Sequence, residues 1–151
     1  MSELTDLYQE VILDHNKKPR NFGPLADPDK VAEGNNPLCG DELVVFIKMD
    51  GDRIENVHFA GSGCAISTAS ASLMTEAIRG KTISEVNELF EGFHELLTGD
   101  PSVAGQAGAG LGKLAVFSGV REFPVRVKCA TLAWHTLQAA LNDDATTVST
   151  E

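Results

Sequence analysis

Glu42-Leu43-Val44-Val45-Phe46-Ile47-Lys48-Met49-Asp50-Gly51 runs from a β-branched and aromatic segment straight into a dipeptide favoured where a two-residue hairpin needs positive φ. Ile54, Val57 and Phe59 follow and supply a returning strand, so the middle of the chain predicts an antiparallel pair. Upstream, residues 17 to 38 mix Lys, Pro, Asn, Gly and Asp, including Gly34-Asn35-Asn36-Pro37, and read as loop with one short edge strand. Before that, Leu4, Leu7, Tyr8, Val11 and Ile12 place an apolar stripe along a helix that runs to about Asn16, and Pro19 closes it. Downstream, Gly61-Ser62-Gly63-Cys64 turns into a helix from Ala65 to Arg79 that ends at Gly80. Thr82 and Glu85 form a capping box for a helix through Leu89 toward Leu97. Pro124 suits the first turn of a last helix ending near Leu141. The expected fold is α+β: a small antiparallel sheet of about three strands with helices packed on one face. The chain, 1–151, reads as a single domain with a flexible Gly-rich insertion at 99–112 and a frayed tail at 142–151.

A length of 151 residues suits one domain with a real core. A formal charge of -10 repels phosphate backbones and anionic membrane surfaces, so no nucleic acid and no membrane is expected as a partner. A basic patch on another protein is the better electrostatic match. The opening Met1-Ser2-Glu3-Leu4-Thr5-Asp6 lacks the basic and apolar regions of a secretory signal, and no apolar run approaches the roughly 18 residues of a membrane span. A soluble, cytoplasmic protein is expected. Three cysteines, few and odd in number, suit reduced thiols better than a disulfide scaffold.

Each cysteine stands at a corner of the expected fold: Cys39 before the first long strand, Cys64 at a strand-to-helix turn, Cys129 early in the last helix. In Cys39-Gly40-Asp41 a glycine between thiol and carboxylate lets the backbone bend both side chains toward one centre. Cys64 near a helix N-terminus sits where the dipole favours a thiolate. Three thiolates and one carboxylate make the four ligands of a tetrahedral zinc site, with a summed charge of about -2. Arg126, one helical turn before Cys129, faces the same way and is expected to offset part of that charge, whereas Lys128 points elsewhere. The competing readings are three buried cysteines acting as small hydrophobes and an Asp41 that merely caps a turn. His15, His58, His94 and His135 neighbour no proposed ligand and read as surface residues or local hydrogen-bonding groups. Met49, Met74, Phe90, Phe93 and Trp134 read as packing residues.

Cys39-Gly40-Asp41, Gly63-Cys64-Ala65 and Arg126-Val127-Lys128-Cys129, in that order behind an amphipathic first helix, resemble the SufU/IscU family of iron-sulfur cluster assembly proteins, which is NifU-like. The resemblance covers nearly the whole chain. The Gly-rich insertion and Lys128, where IscU proteins carry a His, bring it closer to the SufU branch. Phe123-Pro124-Val125-Arg126-Val127-Lys128 departs from the Leu-Pro-Pro-Val-Lys segment by which IscU proteins bind a dedicated Hsp70 chaperone. The resemblance implies a sulfur carrier that holds Zn2+ through Cys39, Asp41, Cys64 and Cys129. Persulfide sulfur would come from a SufS-type, PLP-dependent cysteine desulfurase, and Cys39 would accept it. It implies a sulfurtransferase-like partner, not a stand-alone enzyme, that hands sulfur to downstream Fe-S assembly proteins. A zinc-bound thiolate is ordered but less nucleophilic, so transfer requires a ligand to leave and another donor to take its place. The alternative is an IscU-like scaffold that builds a [2Fe-2S] cluster on Cys39, Cys64 and Cys129. A purely structural zinc module is a third reading.

Overall fold

The computed structural model describes residues 3–36, 40–98, 114, 117, 120, 123–141 and 147–149. The Gly-rich insertion and residues 142–146 and 150–151 lie outside them. In chain order the elements are α1 (Glu3–Lys17), β1 (Lys30–Asn36), β2 (Asp41–Asp50), β3 (Arg53–Ser62), α2 (Ala65–Ile78), α3 (Ile83–Thr98), α4 (Pro124–Leu141) and β4 (Thr147–Ser149).

The hairpin is present, one residue later than its dipeptide suggests. Asp50 pairs with Arg53, so the loop is Gly51-Asp52, with Gly51 at φ +63° in the first loop position, where a type II′ turn takes glycine. Strand alternation then sorts the side chains. Asp41, Leu43, Val45 and Ile47 of β2, Ile54, Val57 and Phe59 of β3, and Ala32 and Asn36 of β1 are buried together on the face the helices cover. The segment 17–38 contains a seven-residue strand, β1, antiparallel to β2. Three residues of the tail expected to fray instead form β4, parallel to β1, so the sheet order is β3-β2-β1-β4. The outer side of β1 otherwise presents unpaired N–H and C=O groups, which a short returning segment satisfies. The edge of β3 is covered likewise: Phe59 exchanges backbone hydrogen bonds with Asn21 and Gly23, and Ile54 with Gly80 and Lys81.

The helices end where local chemistry ends them. Thr82 and Glu85 bond reciprocally at the start of α3, Gly80 takes φ +83° just after α2, and Pro124 opens α4. Among the described residues, α4 packs on β1 and β2 and against α2. Its approach to β1 depends on Gly34, where a Cβ would lie 2.0 Å from Thr136 Oγ1. On its other flank Trp134, fully buried, stacks on Phe93 of α3 with ring centroids 5.1 Å apart. Phe93, Met74 and Trp134 are core residues, as expected.

Candidate metal centre

Four segments meet at one corner of the helix-covered face. Asn36 closes β1 and Asp41 opens β2 directly opposite it in register. Cys64 follows β3 and caps α2, and Cys129 lies in the second turn of α4. Gly40 at φ +73° turns the chain immediately before Asp41, in a conformation that disfavours residues with a Cβ.

Asp41 is fully buried, and its Oδ1 accepts the Cys64 backbone N–H at 2.8 Å. Its Oδ2 lies 4.0 Å from Cys64 Sγ. Asp41 therefore does cap the turn, with one oxygen, while the other faces a sulfur. Gly63 makes room for this carboxylate, since a Cβ there would come within 2.9 Å of Asp41 Oδ1. Cys64 takes the extended backbone of an N-cap residue, and its Sγ accepts the Ser67 N–H at 3.4 Å, the bond a Ser or Thr oxygen makes at this position. Cys129 is 1% exposed, and Asn36 Nδ2 donates to its Sγ at 3.5 Å. One donor atom each from Asp41, Cys64 and Cys129 lie within 4.8 Å of one another.

These groups fit a zinc ion. Two sulfurs on a tetrahedral zinc with bonds of about 2.3 Å lie about 3.8 Å apart, so the three donors need to close by roughly an ångström. The corner also holds two buried polar atoms without a hydrogen-bond partner among the described residues, Asn36 Oδ1 and Ser67 Oγ. Buried polar groups are normally satisfied, and these two stand beside the Asp41, Cys64 and Cys129 donors. Cys39 lies outside the described residues.

Arg126, expected to offset part of the site charge, is exposed, and among the described residues no ion pair joins it to Asp41. No histidine joins the donor group. His15 is buried against Ser72 Oγ at 2.7 Å, His58 Nδ1 lies 3.2 Å from Gly23 O, and His94 and His135 pack edge-on against Phe90. Asn36 is the residue that sequence reasoning missed, because Gly34-Asn35-Asn36-Pro37 reads as loop. The period-2 pattern Ala32, Gly34, Asn36 was the available signal, since it puts Asn36 on the inner face once β1 is recognised as a strand.

The family model described as the NifU-like N terminal domain matches residues 7–130. The zinc-dependent sulfurtransferase SufU of Bacillus subtilis strain 168 is 44% identical over 140 residues, covering 91% of this chain and 90% of that protein. The iron-sulfur cluster assembly scaffold protein IscU of Streptococcus pyogenes serotype M1 is 42% identical over 145 residues, 96% of this chain and 89% of its own length. A crystal structure from Fervidobacterium islandicum AW-1, assigned to cluster assembly scaffolds of the SUF system, superposes with a TM-score of 0.77 at 39% identity, covering 87% of this chain and 94% of that one. The two relatives carry different roles at nearly equal identity, so the choice between those roles falls to the chemistry of the corner.

Proposed function

The chain belongs to the NifU-like N-terminal domain family, and from that membership we propose that it serves iron-sulfur cluster assembly as a zinc-dependent sulfur carrier. The observation that carries this reading is the gathering of Asp41, Cys64 and Cys129 donor atoms within 4.8 Å, two soft donors and one hard one, on three different elements. Cys39, two residues before Asp41, is the proposed fourth ligand and the sulfur acceptor. When bound, zinc keeps the thiolates deprotonated and ordered.

The chain's own part is to present one nucleophilic sulfur and hold the other donors still. Cys39 thiolate attacks the outer sulfur of a persulfide on a SufS-type, PLP-dependent cysteine desulfurase. The desulfurase S–S bond breaks, its cysteine leaves as thiolate, and Cys39 retains the transferred sulfur as persulfide, with no net oxidation or reduction. Downstream assembly proteins then take this sulfur. A charge of -10 favours a basic docking surface on the partner. The proposed compartment is the cytoplasm, where thiols stay reduced. Among the described residues no helix is long and apolar enough to cross a membrane.

Purified protein is expected to hold one zinc per chain and to stimulate a desulfurase only while zinc is present. Anaerobic reconstitution supplies the opposing result: a stable, stoichiometric [2Fe-2S] cluster that passes to an apo-ferredoxin, with no zinc-dependent stimulation, would establish the scaffold role instead. Cys39→Ser distinguishes the structural zinc module, since there the variant unfolds, whereas for the carrier it folds and accepts no sulfur.

A further inference from the structure

Asn36 is fully buried at the end of β1, and its carboxamide reaches the corner: Nδ2 donates to Cys129 Sγ at 3.5 Å, and Oδ1 has no partner among the described residues. A carboxamide has two ends of opposite sign. A thiolate accepts hydrogen bonds and repels a carbonyl oxygen, so only the N–H end fits against a ligating Cys129. Facing that way leaves Oδ1 bare, an arrangement that costs free energy and that an apolar residue would avoid.

The two described cysteines are held differently: Cys64, half-buried, receives a backbone N–H from its own helix turn, and Cys129 a side-chain N–H from another element. Cys129 is buried, mounted on a long helix, and hydrogen-bonded by Asn36. An N–H···S bond to a thiolate is charge-assisted and draws electron density from the sulfur, which weakens it as a nucleophile and orients its lone pairs. Asn36 is not itself a donor to the metal in this arrangement, and its effect passes through Cys129.

We propose that Asn36 is a positioning residue that keeps Cys129 as a resident ligand and withholds it from sulfur acceptance, so that persulfide sulfur goes to another cysteine of the centre. This rests on the sulfur-carrier reading and adds to it a reason for the choice among the cysteines.

The test uses the full chain loaded with Co2+ in place of zinc, comparing wild type with Asn36→Asp, which keeps the shape and loses the N–H, and with Asn36→Ala. Both variants are expected to move the thiolate-to-cobalt charge-transfer band to lower energy and to bind the metal about 10-fold more weakly in competition with a chelator. Asn36→Gln, which keeps an N–H donor, is expected to return the band toward its wild-type position, a rescue that a purely structural role would not give. After incubation with desulfurase and cysteine, peptide mass spectrometry should find added sulfur on the Cys129 peptide in the variants and not in wild type. Variants matching wild type in band, affinity and sulfur location would overturn the role of Asn36 and leave the carrier reading standing. Wild-type persulfide on Cys129 would do the same. A wild-type chain that takes neither metal nor sulfur would overturn both.

Discussion

Two buried polar clusters lie along α2, five residues apart, and they differ in how completely they are satisfied. At Ser72 the hydroxyl accepts the Arg20 N–H at 2.8 Å and lies 2.7 Å from His15 Nδ1. Thr75 Oγ1 donates to Ser72 O and receives Asn21 Nδ2 at 3.0 Å. That seam fastens the end of α1 and the loop behind it onto α2. At Ser67, equally buried on the same helix, the hydroxyl has no partner among the described residues, and Asn36 Oδ1 beside the same corner has none either. Same helix, same residue type and same burial yield opposite accounts: the described residues satisfy the seam in full and leave two polar atoms of the corner without a partner.

The largest expected effect breaks the corner alone. Asp41→Ala removes the one hard donor and should weaken zinc binding by more than the roughly 10–100-fold that losing an outer partner costs. Competition with a chelator measures it, and the His15 seam should be untouched.

Next in size is the seam. Ser72→Ala removes the hydroxyl that accepts the Arg20 N–H and lies beside His15 Nδ1, and should destabilise the protein by about 1–3 kcal/mol, read by urea unfolding of the metal-free chain. An unchanged midpoint would show that the seam fastens nothing.

Acid supplies a background against which both clusters can be judged. Burial pushes His135 below the ordinary histidine range, and the neighbouring charge of His94 adds to the shift. A folded-state value below the unfolded one means the unfolded chain binds more protons. Stability is therefore whole at neutral pH, begins to fall as pH drops through about 6.5, and stops falling below the folded value. Thermal melts between pH 7.5 and 5 should show this decline, His135→Gln should flatten it, and the Ser67 variant should share the wild-type slope.

The smallest effect is the most pointed. Ser67→Ala, the same substitution five residues earlier on the same helix, removes a hydroxyl with no partner among the described residues, so the metal-free protein should be unchanged or more stable by up to about 1 kcal/mol. A loss as large as that of Ser72→Ala would mean that the Ser67 hydroxyl is satisfied after all and would erase the contrast.

Much of the fold was legible because it is made by neighbours in the chain. The capping box at Thr82 and Glu85, the turn glycine at 80 and the helix opening at Pro124 each follow from residues within a few positions of one another. The hairpin was legible to within one residue, since a dipeptide signals a turn more clearly than it signals register. β1 was harder. Its sequence, Lys30-Val31-Ala32-Glu33-Gly34-Asn35-Asn36, has little intrinsic strand preference, and it is held by pairing on both sides with β2 and β4. The short strand β4 escaped notice for the same reason, as nothing in Thr147-Val148-Ser149 announces the strand it pairs with.

Sequence by itself determined the kinds of donor available, their corner positions and the glycines that leave room for them, because residue chemistry and turn preference are local properties. Tertiary structure alone decided that Asp41 faces Cys64 and that Asn36 reaches Cys129 from 93 residues earlier in the chain. Those facts depend on the register of β1 against β2 and on the seat of α4 over Gly34, and no short stretch of chain encodes a distance between elements that meet only after packing.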